Sequence, residues 1–254
     1  FIDCLFGILF MRYLMFCSYD GSNYYGFQSQ VNQLGIQEVI EKAIKNMTQQ
    51  QVKIHSAGRT DKGVHAYEQA FHVDIIGDFD LNTMIVAINK RLPEDIRILK
   101  IKFVNDDFHA RHHAHAKKYI YKLSKKPLTA FQSKYYTYVP NLDYELMKSA
   151  TQLFIGTHDF KGFCEKVIGK PTIKTIFNVK VIETTSIISF EFFGNSFLKY
   201  MVRSMMGTLI EIGQHKKQTE TISLNLTKPD RTLAGKTAPA KGLYLKKIYY
   251  KKVL

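Results

Sequence analysis

The stretch Ala57-Gly58-Arg59-Thr60-Asp61-Lys62-Gly63-Val64-His65-Ala66 places a cation, a hydroxyl and a carboxylate between two glycines. Glycine lets a backbone take conformations closed to other residues and come close to a ligand. A carboxylate held on such a turn is a nucleophile able to bond covalently to a sugar or base carbon. The neighbouring Arg59 has the planar fork that reaches phosphate or stacks on a base. A hairpin turn in which Asp61 bonds only its own backbone is the alternative reading of the same residues.

Other groups narrow the chemistry. His109, His112, His113 and His115 raise the question of a metal, but no Cys or HExxH context joins them and Lys117 and Lys118 follow, so no metal is expected. The chain contains neither GxxxxGK[ST] nor GxGxxG after a strand, so no nucleotide cofactor is expected. Cys4, Cys17 and Cys164 are far apart and form no ligand or disulfide pattern, which fits a reducing cytoplasm.

The 36 Lys and Arg against 22 Asp and Glu leave a net charge of +14, which argues for a polyanionic partner. Cations recur beside aromatic rings, as in Arg12-Tyr13, Lys118-Tyr119, Lys134-Tyr135, Lys199-Tyr200 and Tyr250-Lys251. That pairing suits an RNA backbone and unstacked bases. No apolar run reaches the roughly 18 residues of a membrane span. Residues 1 to 10 are apolar but include Asp3 and lack a basic segment, resembling neither signal peptide nor anchor. Met11 is the expected natural start, and residues 1 to 10 an upstream extension outside the fold.

The elements that must hold these groups follow from periodicity. Arg12 to Tyr19 alternates as a strand and ends in the turn signal Asp20-Gly21-Ser22-Asn23, followed by an aromatic loop, Tyr24 to Gln28, able to stack on bases. Ile36, Val39, Ile40, Ala43, Ile44 and Met47 recur at helical spacing. Strands are expected at Gln51 to His55 and Gln69 to Ile76, flanking the polar stretch, then a helix from Leu81 to Leu92 and a strand from Ile96 to Val104. A domain boundary is expected near residues 106 to 114, giving domains 11 to 110 and 111 to 254. Beyond it come a helix from Tyr144 to Ile155, an antiparallel pair at Val179 to Ile182 and Ile187 to Phe193, and a helix from Phe197 to Ile212 stopped by Gly213. A last strand runs from Leu243 to Tyr250. Antiparallel pairs mixed with helices predict an α+β class.

Seven blocks in order carry a resemblance. They are Tyr19-Asp20-Gly21-x-x-Tyr24-x-Gly26-Phe27-Gln28-x-Gln30, Gly58-Arg59-Thr60-Asp61-x-Gly63-Val64-His65-Ala66, Phe108-His109-Ala110-Arg111, Lys117-x-Tyr119-x-Tyr121, Gly156-x-His158-Asp159-Phe160, Phe197-Leu198-x-x-Met201-Val202-Arg203 and Pro239-Ala240-x-Gly242-Leu243-x-Leu245. From about Arg12 to Tyr250 the chain resembles the tRNA pseudouridine synthase A family. The resemblance implies a cofactor-free isomerase that converts uridine to pseudouridine at positions 38 to 40 of the tRNA anticodon arm. It also implies a homodimer of the pseudouridine synthase fold, in which two similar α+β halves join mainly antiparallel sheets around a central cleft. In the matching positions Asp61 is the implied catalytic carboxylate, Tyr119 the residue that stacks on the base and removes the C5 proton, and Arg203 the partner of Asp61. Leu245 closes the pocket floor, Arg59 helps hold the target nucleotide out of its stack, and Arg111 and Lys117 contact substrate. Lys62 stands where a small residue is usual, and His112-His113 where an aromatic or small polar pair is usual. An RNA-binding protein that has lost the reaction is the competing class, and intact Asp61, Tyr119 and Arg203 argue against it.

Overall fold

The computed structural model describes residues 10–165, 169 and 171–251. Apart from Phe10, the expected upstream extension therefore lies outside the described residues. Phe10–Tyr19 (β1) opens the fold, and Ile36–Thr48 (α1) buries Ile36, Ile40, Ala43 and Ile44, the stripe its periodicity predicts. His55–Ser56 (β2) is all that forms of the strand expected from Gln51, whereas His65–Ile76 (β3) starts four residues earlier than its apolar pattern and takes in the end of the polar stretch. Leu81–Asn89 (α2) is capped by Asp80, whose side chain accepts from the Thr83 N–H at 2.7 Å. It stops three residues short of the expected Leu92, because the Asn89 side chain turns to bond both backbone groups of Ile98 on Ile96–Val104 (β4).

Ala114–Ser124 (β5) and the short Thr137–Tyr138 (β6) lead to Tyr144–Ala150 (α3), which continues as a 3-10 turn over Thr151–Phe154. Gly156–Asp159 (β7), Ile173–Glu183 (β8) and Ile187–Gly194 (β9) form antiparallel neighbours. Met201–Gly213 (α4) begins four residues after the expected Phe197, because Tyr200 takes a left-handed conformation (φ 62°) that ends the preceding loop. Glu220–Thr227 (α5), with little apolar periodicity to announce it, was not expected; Leu243–Tyr250 (β10) was.

Among the described residues, all ten strands belong to one sheet, ordered β4-β1-β3-β10-β5-β9-β8-β7, with β2 on β3 and β6 on β5. The α+β class read from the sequence is the class observed. Apart from the β5–β6 pair the neighbours are antiparallel except at one seam: β10, the last strand, inserts between β3 and β5, parallel to β3 through Tyr244↔His65 and Leu245↔Ala66 and antiparallel to β5 through Leu245↔Tyr119. In β3, three residues separate the partners of Cys17 and Tyr19, which are themselves two apart. That bulge returns Ala66 to the same face as Gln69. Thus the first and the last described strands both pair with β3, which follows the polar stretch.

Candidate active site

The loop 57–64 is held from both sides. Its entry is fixed by the Ala57 N–H donating to Ala70 O at 2.8 Å and by the Gln69 side-chain amide donating to Gly58 O at 2.8 Å. The Val64 N–H reaches back to Asp61 O at 3.1 Å, and Gly63 at φ +76° closes that turn. Beneath it, Thr60 Oγ1 and Tyr19 OH share a hydrogen bond of 2.8 Å, and Thr60 O accepts from the Phe27 N–H at 3.2 Å. Gly26 (φ +93°) comes so close that a Cβ there would sit 2.5 Å from Thr60 O.

The aromatic loop therefore has a different task from the base stacking expected of it. Phe27 is fully buried and Tyr24 nearly so, with its hydroxyl on Asp95 at 2.7 Å. Their apolar area is spent supporting the Asp61 loop, and of these rings only Tyr25 is exposed, with Lys62 Nζ 3.8 Å above it.

On the far side of the loop, α4 presents Arg203. Its Nη1 donates to Asp61 Oδ2 at 3.2 Å while its Nε donates to Ala238 O at 2.8 Å, and Tyr200 lies under the guanidinium at 5.1 Å. The segment carrying Ala238 packs directly on α4: a Cβ on Gly207 would stand 1.7 Å from Lys236 O, and the Gly235 N–H donates to Thr208 Oγ1 at 2.8 Å. Small residues at 207 and 235 thus set the height at which Arg203 leaves the helix.

Tyr119 and Leu245, register partners on β5 and β10, are buried, Tyr119 within reach of the Asp61 charge and Leu245 beside Ala66 at the loop's exit. Phe197 meets the Tyr119 ring edge-on at 5.0 Å. Periodicity had assigned Phe197 to a helix core; the motif block Phe197-Leu198 was the available signal that it belongs with Tyr119.

Burial and the guanidinium pull the Asp61 carboxyl in opposite directions. Burial raises the Asp61 pKa, and Arg203 and then Lys199 offset this only in part. Burial, helped by the Asp61 charge, also raises the Tyr119 phenol well above its ordinary value, so it stays protonated. Lys117 points its Nζ at Ala57 O, 2.7 Å away, and burial, with repulsion from Arg111 and Lys174, pulls its pKa down to about 8.

The structure therefore brings Asp61, Tyr119, Arg203 and Leu245 together, with Lys117 bracing the loop's entry at Ala57. Arg59 and Arg111 are exposed. Asp61 and Tyr119 are both desolvated, a donor and an acceptor whose proton affinities are shifted together. Such a site offers a carboxylate that can form a bond to carbon and a phenol that can move a proton at a bound base.

Comparison with known proteins matches residues 15–113 and 150–251 to the sequence profile of the family described as tRNA pseudouridine synthase. A tRNA pseudouridine synthase A from Staphylococcus carnosus is 41% identical over 242 residues, covering 94% of this chain and 91% of its own. Those of Streptococcus uberis and of the onion yellows phytoplasma are 40% and 39% identical, each covering 94% of this chain and 98% of its own.

Proposed function

The chain belongs to the tRNA pseudouridine synthase family, which isomerises uridine to pseudouridine, and from that premise we propose that it modifies positions 38, 39 and 40 of the anticodon arm with Asp61 as its catalytic carboxylate. The observation that carries this reading is the desolvated Asp61–Arg203 pair beside Tyr119 and Leu245 at the seam where β10 joins β3 to β5.

The reaction breaks the N1–C1′ bond, turns the free base, joins C5 to C1′ and moves one hydrogen from C5 to N1. Nothing is gained or lost, so the chemistry needs no outside reagent. It needs a nucleophilic or basic oxygen, a closed pocket and a proton path. Asp61 supplies the oxygen, whether it attacks the sugar, attacks the base or removes a sugar proton. Arg203 stabilises the charge on Asp61 and fixes its orientation. The Tyr119 ring gives the detached base a stacking face, and Leu245 an apolar floor. Because the phenol is protonated, it acts as a relay, taking the C5 proton as it passes its own to Asp61, whose raised proton affinity suits it as acceptor, and Asp61 then returns a proton to N1.

Arg59, exposed beside Asp61, holds the target nucleotide out of its stack, and Arg111 and Lys117 contact the RNA backbone. The protein works in the cytoplasm as a homodimer, one subunit gripping the loop of the arm while the other braces its stem. The test is to incubate the protein with unmodified tRNA transcript, without metal or nucleotide, and map pseudouridine along the arm. Conversion at 38, 39 or 40 supports the reading; conversion elsewhere, or none, overturns it. Light scattering at micromolar concentration decides the oligomeric state.

A further inference from the structure

Three histidines distant in sequence meet near the entry of the Asp61 loop, where β2 leads into it. His55 on β2, His72 on β3 and His109 in the loop after β4 each bring one ring nitrogen within 4.8 Å of the others. His55 and His72 stack at 4.9 Å, His109 crosses His72 at 4.7 Å, and His112 follows at 4.2 Å from His109. Triads of this kind invite assignment as a metal site, and the hydrogen bonds speak against it. The Ala110 N–H donates to His72 Nδ1 and the Arg111 N–H donates to His109 Nδ1, both at 3.1 Å. A nitrogen that accepts a backbone N–H carries no proton of its own, so the neutral ring bears its proton on Nε2. A metal needs a lone pair there, and these rings offer N–H.

The surrounding charge has the same sign preference. At both His72 and His109 burial is the leading cost of a positive charge, and repulsion from the neighbouring histidines and from Arg12 adds to it, pulling His72 down to about 4. The carboxylate that faces the group, Asp74, is committed to Arg12 through two hydrogen bonds of 2.6 and 2.7 Å. Arg12 in turn donates to the backbone carbonyls of Asp106 and Phe108, which anchors the loop bearing His109. From the cluster, Arg111, Lys117 and Lys174 continue the positive strip toward the Asp61 loop. Because β2 runs straight into Ala57 and Gly58, His55 is six positions before Asp61, a span of at most about 20 Å of extended chain.

We propose that His55, His72 and His109 form a phosphate-binding notch for the backbone of the tRNA, a few nucleotides from the uridine at Asp61, and that the cluster is not a metal site. This rests on the tRNA reading above and adds to it a second point of contact that fixes the register of the strand. The Nε2–H of His109 and the exposed His55 ring donate to phosphodiester oxygens, as side-chain donors do in positioning contacts, and the buried His72 ring packs behind them.

The experiment has three arms. Long-range ¹H–¹⁵N spectra of the wild-type protein should show His72 and His109 as Nε2–H tautomers, with shifts on titration with inorganic phosphate, while calorimetry with zinc alone should give no stoichiometric binding. His109→Phe, which keeps a ring and loses the donor, and His55→Phe, at an exposed position, should each raise Kd and KM for a tRNA transcript by about tenfold, the cost of one hydrogen bond to a charged group. His109→Gln, which restores an N–H donor, should recover most of it, with kcat at saturating tRNA unchanged throughout. Nδ1–H tautomers with one zinc bound per chain, or transcript affinity unchanged in both Phe variants, would overturn the proposal. Circular dichroism checks that each variant folds. Wild type that forms no pseudouridine refutes the tRNA reading itself; wild type that forms it, with all variants binding alike, refutes only the notch.

Discussion

Two aspartate–arginine pairs in this molecule, one on the sheet and one between a loop and α4, start from the same chemistry and end in opposite states. Asp74 and Arg12 face each other across β1 and β3, bonded through both carboxylate oxygens, with the Asp74 side chain 42% exposed. Asp61 and Arg203 make one contact of 3.2 Å, with the Asp61 side chain 20% exposed and no second bond from the guanidinium to the free oxygen. Arg12 holds the Asp74 pKa below its ordinary value, because the hydrogen bonds outweigh the desolvation. At Asp61 the order is reversed and burial wins. A carboxylate with all its partners in place is inert scaffolding, whereas one that is desolvated and half-satisfied retains an oxygen for a substrate.

The sharpest break of this comparison is Asp61→Asn, which keeps the shape and removes the charge. Turnover on tRNA transcript should vanish while affinity stays within a few fold, since chemistry and binding use different groups. Residual activity above a tenth of wild type would put Asp61 on the scaffold side with Asp74. Next in size, Tyr119→Phe keeps the stacking ring and deletes the proton path. Its turnover should fall by about 10² to 10⁴, the range for a general acid or base, with binding near wild type. A burst experiment reveals whether an enzyme-bound intermediate accumulates; near-normal turnover would leave Tyr119 a platform only.

Arg59→Ala should have a smaller effect and one that depends on the substrate. Extruding a stacked base costs a few kcal/mol, so the loss in turnover should shrink on RNA whose target uridine is already unpaired. An equal loss on both RNAs would move Arg59 into the chemical step.

The pairs also predict opposite stability responses to pH. The folded-state pKa of Asp61 lies above its unfolded value, so ionisation at that site destabilises the fold as pH rises from the unfolded pKa to the folded one. Asp61→Asn should therefore melt higher than wild type at neutral pH, with the difference fading in acid. Asp74 is depressed, so its stabilisation is present above the unfolded pKa and lost as pH falls through the folded one. The smallest effect expected is Asp74→Asn, about 0.2 to 1 kcal/mol by denaturant titration, as for other partly exposed ion pairs, with turnover unchanged. A large loss of turnover in that variant would erase the distinction drawn between the two pairs.

What the chain determines by itself is what short range can encode. Gly58 to Ala66, the stripe of α1 and the alternation in β1 follow from neighbouring residues and backbone sterics, so these elements and the chemical vocabulary were legible. Elements made by tertiary contact were not: α5 has little apolar periodicity, and β2 exists only as a partner for His72 and Phe71. The burial of Tyr24 and Phe27 under the loop is of the same kind, because nothing in a cluster of aromatics says which face will find a core. Arg203 is 142 positions from Asp61, and their meeting depends on β10 threading between β3 and β5. The sign of the Asp61 shift lies further still from the sequence. It is a balance between desolvation and one ion pair, and only the packed structure fixes how much water is removed.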